Sequence, residues 1–413
     1  MLKRLMSLLL ALCLLPVLSL AEEEDDLSIE EITEEVMLDD DGNEILVDEE
    51  TGESFILSSA QQDELESLDE TIDTSVDPDS LELNPNLPDH VINILLLGTD
   101  GRDTRYKTLR ESQEADGEGG SKGIRQRADV WIILSLNTQD GTVKLSSLMR
   151  DTYLSVPGYT NKNKITNLFD YKNREGNYGA NAELCMRTLN HHFDLNIQNY
   201  VTINFYGLAS IIDAMGGADI DLTKAEAKAI NAYLKKHASQ MARTYDSKEA
   251  QANRTALEAK DGFQHLDGVQ AVMYARLRSN LGGDQKRTER QRHLLDLLLQ
   301  QLVSGMSSGS VDAFEIINTS LDYVTTNINA GTMFNLVREN FPAIKARLGT
   351  SDTLIEQFRI PMDKTYGYSD VETSTGSKMS VVFMSADNLQ KNKEALHEFI
   401  YGAFFSVLLF LFP

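Results

Sequence analysis

Arginine is the residue type whose placement suggests chemistry. Arg102 follows Gly98-Thr99-Asp100-Gly101, Arg127 precedes Ala128-Asp129, and Arg150 lies in Leu148-Met149-Arg150-Asp151-Thr152. Arg276 and Arg278 are two apart in Tyr274-Ala275-Arg276-Leu277-Arg278, and in an extended piece both guanidinium groups point the same way. Arg287, Arg290 and Gln291 are spaced i, i+3, i+4, which a helix puts on one face. Guanidinium stays charged and forks onto phosphate oxygens. Several such groups near glycines and strand ends imply a ligand with more than one phosphate. For any one arginine the bland alternative is a surface salt bridge; the conjunction is what points to an anion. Asp100 and Asp129 sit at neighbouring strand ends, where two carboxylates can hold a Mg²⁺ that also binds ligand phosphates. The alternative for these two is the capping of turns. Asp151 and Asp284 are further acids near the arginines, suited to orienting them.

Other chemistries lack their signatures. The chain has no G-x-x-x-x-G-K-[ST] loop, no G-x-G-x-x-G and no G-x-S-x-G elbow. Its seven histidines show no metal-ligand spacing, and His191-His192 reads as a surface pair. Of the two cysteines, Cys13 lies in the N-terminal apolar stretch and Cys185 in a helical stretch, where a buried structural thiol is the expectation.

The elements that position these residues alternate between strand and helix. Val91–Leu97 is a short all-apolar run ending in Gly98, as a fully buried strand is. Val130–Leu136 and Val143–Leu148 flank Asp140-Gly141, a hairpin signal. Ala180–Phe193 reads as helix, and Asn204–Met215 as a helix stopped by Gly216-Gly217. Ala218–Leu222 is a short strand, Gly268–Tyr274 and Arg287–Val303 are helical in part, and Val324 to Arg347 suggests a further helical region. Met379–Ser385 reads as a late strand before a helix over Ala386–Tyr401. The expected class is α/β with strands of mixed direction. Tyr106–Gly123 reads as a mobile loop.

Charge divides the chain of 413 residues more sharply than its formal total of -26 suggests. Of 64 acidic residues, 27 lie between Glu22 and Asp89, a stretch with no Lys or Arg. From residue 91 on, the net charge is -1, so that part can accept an anion. Residues 22–90 cannot bury enough apolar surface to offset their ordering entropy and are expected to form a disordered acidic stalk, with Glu44-Ile45-Leu46-Val47 as a transient hairpin cluster. Residues 1–21 carry Lys3 and Arg4, an apolar stretch and Ser19-Leu20-Ala21, the pattern of a signal peptide or signal anchor. Residues 399–413 form a hydrophobic tail, short for a membrane span.

The runs Asn93–Asp100, Arg127-Ala128-Asp129, Leu148–Thr152, Tyr274–Arg278 and Asp284–Gln291, in that order, resemble the LytR–CpsA–Psr family. Lys164-Ile165-Thr166-Asn167 and Gly216-Gly217 also fall where that family has them. The resemblance implies a mixed central sheet flanked by helices over residues 91–398, outside a Gram-positive-type cell, secreted or membrane-anchored. It implies transfer of a phosphoglycan (teichoic acid, capsule or a similar polymer) from a polyprenyl pyrophosphate carrier at the membrane outer leaflet to peptidoglycan. It implies phosphate contacts from Arg150, Arg276, Arg278, Arg287 and Gln291. Arg102, Arg127 and Arg290 join the expected pyrophosphate set, and Arg150, Asp151 and Arg287 the catalytic set. Asp100 and Asp129 would hold Mg²⁺ or Mn²⁺. The family usually keeps a cytoplasmic stub and an uncleaved span; here the stub is Met1 to Arg4 and the signal looks cleavable.

The same anion site serves a polyprenyl-pyrophosphate pyrophosphatase, with water as acceptor, or a lipid-carrier binding protein without turnover. Nucleic acid is not an expected partner: the signal segment, the net charge of -1 from residue 91 and the lack of a helix-turn-helix pattern argue against it.

Overall fold

Apolar runs build the middle of a six-stranded mixed sheet in this computed structural model, which describes residues 37–38, 44–45, 76–99, 127–169, 178–244, 254–277, 290, 293–294, 297–298, 301, 324–329, 332, 355–372 and 378–402. In chain order the elements are β1 (Val91–Thr99), β2 (Ala128–Asn137), β3 (Val143–Leu148), β4 (Tyr153–Ser155), β5 (Lys162–Lys164), α1 (Tyr178–Phe193), β6 (Asn199–Asn204), α2 (Phe205–Ala214), β7 (Ala218–Leu222), α3 (Lys224–Thr244), β8 (Gly262–Leu266), α4 (Gly268–Arg276), β9 (Val324–Thr326), β10 (Ile355–Ile360), β11 (Gly367–Glu372), β12 (Lys378–Phe383) and α5 (Ala386–Tyr401). The central sheet runs β9-β6-β1-β2-β3-β10. β6 is parallel to β1 and β10 parallel to β3, while the β9–β6, β1–β2 and β2–β3 pairs are antiparallel. The mixed α/β class is therefore the observed one.

Both faces of the sheet are covered, which explains why β1 is apolar at nearly every position. Ile94 and Leu96 of β1, with Ile132 and Leu134 of β2, pack against Ile212 of α2, Ile230 of α3 and Val272 of α4. The alternate residues Leu95, Leu97, Trp131 and Ile133 pack on the other face against Leu189 of α1 and Leu396 of α5. Cys185 of α1 is fully buried there, and burial pushes its thiol well above the ordinary range. It is a packing residue, as expected.

One edge of the sheet collects the carboxyl ends of four strands and the amino end of β2. Thr99 pairs with both Asn204 and Ala128, and Leu148 pairs with Ile360. Gly98 lets β1 reach this edge, because a Cβ there would lie 2.8 Å from Cβ of Val130 on the neighbouring strand. The β1–β2 register shifts immediately afterwards.

Several boundaries differ from the sequence reading. The folded part begins before residue 91: Leu81 and Leu87 are buried, and the Asn190 amide donates to the Leu81 carbonyl at 2.9 Å. Burying one leucine contributes about 2 kcal/mol, which fixes the acidic segment locally where apolar residues are available. Residues 76–90 thus belong to the domain and not to the stalk. Upstream, Met37–Leu38 pairs antiparallel with Glu44–Ile45, the apolar cluster read as a hairpin. The last helix runs through residues 399–401, past the expected tail boundary; residues 403–413 lie outside the described residues. Val324–Thr326 is a strand where a helical region was expected, since its β-branched residues suit edge pairing with β6. His191 is exposed and hydrogen-bonded to Glu82, but its neighbour His192 is half-buried, donating from Nε2 to the Ser155 carbonyl at 2.8 Å.

Candidate functional site

The tight turn Met149–Thr152 follows β3 at the sheet edge just described. Met149 N–H donates to the Ile360 carbonyl, and Thr152 returns its N–H and hydroxyl to the Met149 carbonyl at 2.9 and 2.6 Å. The Arg150 carbonyl accepts from Thr166 N–H, that of Asp151 from Val382 N–H and that of Thr152 from Ile165 N–H. Every carbonyl of the turn is thus engaged, by β12 on one side and the Ile165–Asn167 turn on the other. A backbone held this way fixes where its side chains start, so Arg150 and Asp151 are preorganised.

Those side chains form a chain of alternating charge. Arg150 Nη1 lies 2.8 Å from Asp129 Oδ1, and its Nε lies 3.7 Å from Asp151 Oδ2. Lys164 Nζ, at the end of β5, lies 2.8 Å from Asp151 Oδ1. All four side chains are partly exposed, which leaves the cluster open to a ligand. Lys164 did not figure among the expected site residues. Its signal was the Lys164-Ile165-Thr166-Asn167 run, in which the isoleucine and threonine are buried and the lysine is turned toward Asp151.

The other expected residues divide into three groups. Arg127 is exposed immediately before β2, on the same edge as Asp129. Arg276 is exposed at the last residue of α4. That helix starts at an Asp267–Gln270 capping box, and Gly268 N–H donates to Asp213 at the carboxyl-terminal end of α2. The chain does not stay extended from Tyr274 to Arg278, as the two-residue spacing argument required. It is helical through Arg276 and turns extended at Leu277, with φ -59° and ψ 129°. Arg290 is turned inward: its Nε lies 2.5 Å from Glu226 Oε1 and its Nη1 donates to the Leu277 carbonyl at 3.2 Å. It is an internal ion pair, not an open ligand group, because Glu226 offers a carboxylate inside the fold that the i, i+3, i+4 spacing could not reveal. Asp100, Arg102, Arg278, Asp284, Arg287, Gln291 and the Tyr106–Gly123 loop lie outside the described residues.

Arg290 also acts on the charge of its partner. Burial alone would raise the Glu226 carboxyl, but hydrogen bonds from Arg290 and from the Thr223 N–H and hydroxyl outweigh it and hold the group below its ordinary value. Tyr274, buried near this ionised carboxylate, is pushed up to about 12.

A divalent cation asks for one or two carboxylates at a place where phosphate oxygens can complete its shell. Asp129 provides one, with its Oδ1 directed to Arg150. Thr99 and Ala128, which directly precede Asp100 and Asp129, are register partners. Among the described residues Asp129 is the carboxylate of the expected pair, and no group of three or more His, Cys, Asp or Glu gathers there.

The family model described as the LytR_cpsA_psr family matches residues 55–398. The chain is 25% identical over 275 residues to the polyisoprenyl-teichoic acid–peptidoglycan teichoic acid transferase TagU of Enterococcus faecalis, covering 65% of this chain and 71% of the relative. It is 28% identical over 211 residues to the transferase TagV of Bacillus subtilis, covering 50% and 46%. It is 25% identical over 287 residues to the regulatory protein MsrR of Staphylococcus aureus, covering 69% and 72%. Among solved structures, that of B. subtilis TagV aligns with a TM-score of 0.46 and 22% identity, over 76% of this chain and 98% of that one. With the family match extending over most of its length, the chain belongs to the LytR_cpsA_psr family.

Proposed function

We propose that this chain is an extracytoplasmic phosphotransferase that moves a phosphoglycan from a polyprenyl pyrophosphate carrier to peptidoglycan. The observation that carries the reading is the charged edge of the sheet: Arg150 held between Asp129 and Asp151, in a turn whose carbonyls are all engaged. The transferase names of TagU and TagV supply the donor and acceptor classes.

In this reading an acceptor sugar hydroxyl attacks the sugar-linked phosphorus, and its proton passes to solvent as the new bond forms. The bond from that phosphorus to the bridging oxygen breaks, and polyprenyl phosphate leaves with the electron pair. Negative charge grows on the leaving phosphate, and a preorganised guanidinium at that point lowers the barrier. Arg150 is placed for this role. Asp151 meets Lys164 and Arg150 through its two oxygens and orients both. Arg276, with Arg278 and Arg287, would grip the rest of the pyrophosphate. Asp129 with Asp100 would hold Mg²⁺ or Mn²⁺, which when bound would supply Lewis-acid stabilisation to the phosphate oxygens. A donor anchored by a prenyl tail would be met at the outer leaflet. No helix among the described residues is long and apolar enough to cross a membrane; residues 1–21, with the pattern of a signal peptide or signal anchor, lie outside them.

The test gives the full chain, in detergent, a pyrophosphate-linked lipid glycan, Mg²⁺ and peptidoglycan strands. Covalent glycan on peptidoglycan is the expected product. Free glycan phosphate means that water is the acceptor and the protein is a pyrophosphatase. Bound donor without turnover means a carrier-binding protein.

A further inference from the structure

Arg290 belongs to the same sequence run as Arg287 and Gln291, yet it is the member that faces into the fold. Its side chain is 8% exposed and that of Glu226 is 11% exposed. Glu226 is the third residue of α3 and works in two directions. Its Oε2 accepts from the Thr223 N–H and hydroxyl at 2.9 and 2.8 Å, while Thr223 Oγ1 accepts from Glu226 N–H at 3.3 Å. This is a capping box. Its other oxygen, Oε1, takes Arg290 Nε. From there Arg290 Nη1 reaches the carbonyl of Leu277, the residue between Arg276 and Arg278. Leu277 is also where α4 gives way to extended backbone, with its N–H on the Tyr274 carbonyl at 3.3 Å.

We propose that Arg290 is a positioning residue, which fixes the end of α4 that carries Arg276 by tying the Leu277 carbonyl to the capped end of α3 through Glu226. This rests on the reading that Arg276 and Arg278 grip the donor's pyrophosphate. A guanidinium edge occupied by a carboxylate and a backbone carbonyl is not available to fork onto phosphate. The same two bonds fix the direction of the Leu277 carbonyl, one residue after Arg276. Lysine cannot replace this fork, because it is a point charge without fixed directions.

The test measures the Kd of the full chain for a short polyprenyl diphosphate, together with its Tm, in five variants. In Glu226→Gln and Arg290→Lys, Kd weakens about tenfold to a hundredfold, the scale of a small misplacement of binding groups. In Ser385→Ala, which removes the cap of α5 on the other face of the sheet and leaves the Glu226–Arg290 pair untouched, Tm falls while Kd holds. Should Glu226→Gln not fold, Glu226→Asp keeps the charge, shortens the reach by one methylene and is read in the same way. A Kd that is unchanged or tighter in Glu226→Gln, with Arg290→Lys weak, makes Arg290 a direct phosphate contact and overturns the proposal. So does a Kd unchanged in both. Arg276→Ala tests the underlying reading: if it leaves Kd intact, the pyrophosphate assignment fails whatever the clamp variants do; if it weakens Kd while the clamp variants do not, the clamp alone fails.

Discussion

Arg150 and Arg290 both sit in charged runs, and both touch carboxylates, yet their surroundings differ. Arg150 is 34% exposed at the carboxyl ends of the strands, with its turn rigid and its partners on the rim. Arg290 is 8% exposed, and its partner Glu226 is as enclosed as it is. The rim arginine has a fixed backbone and a free approach; the internal one has fixed partners and no approach. A run of arginines therefore contains two kinds of residue, those that meet a ligand and those that hold the others in place.

This contrast is sharpest in the substitution of each by alanine. Arg290→Ala leaves the Glu226 carboxylate enclosed without its cation, a loss of about 3–5 kcal/mol in unfolding free energy; denaturant titration checks it. Arg150→Ala should leave the unfolding midpoint almost unchanged, since it stands at a partly exposed rim, and reduce kcat/KM about 10²–10³-fold, the scale for removing one preorganised donor. Equal effects of the two substitutions on both quantities would erase the distinction.

Lys164→Met takes the strongest partner from Asp151 and leaves Arg150 less firmly held. The expected effect is about a tenfold loss in kcat/KM, or ~1.4 kcal/mol in barrier, with little change in Tm. Steady-state kinetics with the lipid-linked donor check it.

The smallest effect is that of pH, and it reports on the interior and not on the rim. His192 and His397 are held below the ordinary histidine value, chiefly by burial, and His397 donates from Nε2 to the Phe193 carbonyl at 2.7 Å. Glu226 is held below the ordinary carboxylate value. In all three the unfolded chain binds protons more readily than the fold does. Their contribution is therefore present above the unfolded values and is lost as pH falls, from 6.5 downward for the histidines and from 4.5 downward for Glu226. Tm should drop between pH 7.5 and 5.5, and His397→Asn should flatten that drop.

Much of the framework was legible in the sequence because it rests on local patterns. Val143–Leu148, Ala218–Leu222 and Ala386–Tyr401 form the elements that apolar alternation and helical spacing indicate. The site was legible as a set of residue types: Asp129, Arg150 and Asp151 do meet. What the pattern missed depends on distant partners. Lys164 reaches Asp151 because two three-residue strands, β4 and β5, pair with each other, and such short strands leave no periodicity. Arg290 turns inward because of Glu226, 64 positions earlier. Leu81 is buried by packing on the face of the sheet that carries α1 and α5, although its neighbours in sequence are acidic.

The far end of the sheet holds a polar knot. Asn93, at the start of β1, donates to Asn196 Oδ1 at 2.6 Å and to the Tyr401 hydroxyl at 2.8 Å, while its own Oδ1 accepts from Ser135 at 2.6 Å. The first strand of the sheet and the last turn of its final helix are thus bonded across 308 positions. The knot is complete only with Tyr401 in place, so its closure joins both extremities of the domain. A chain cut just before Tyr401 keeps every group of the charged rim and loses the clasp that shuts the opposite end.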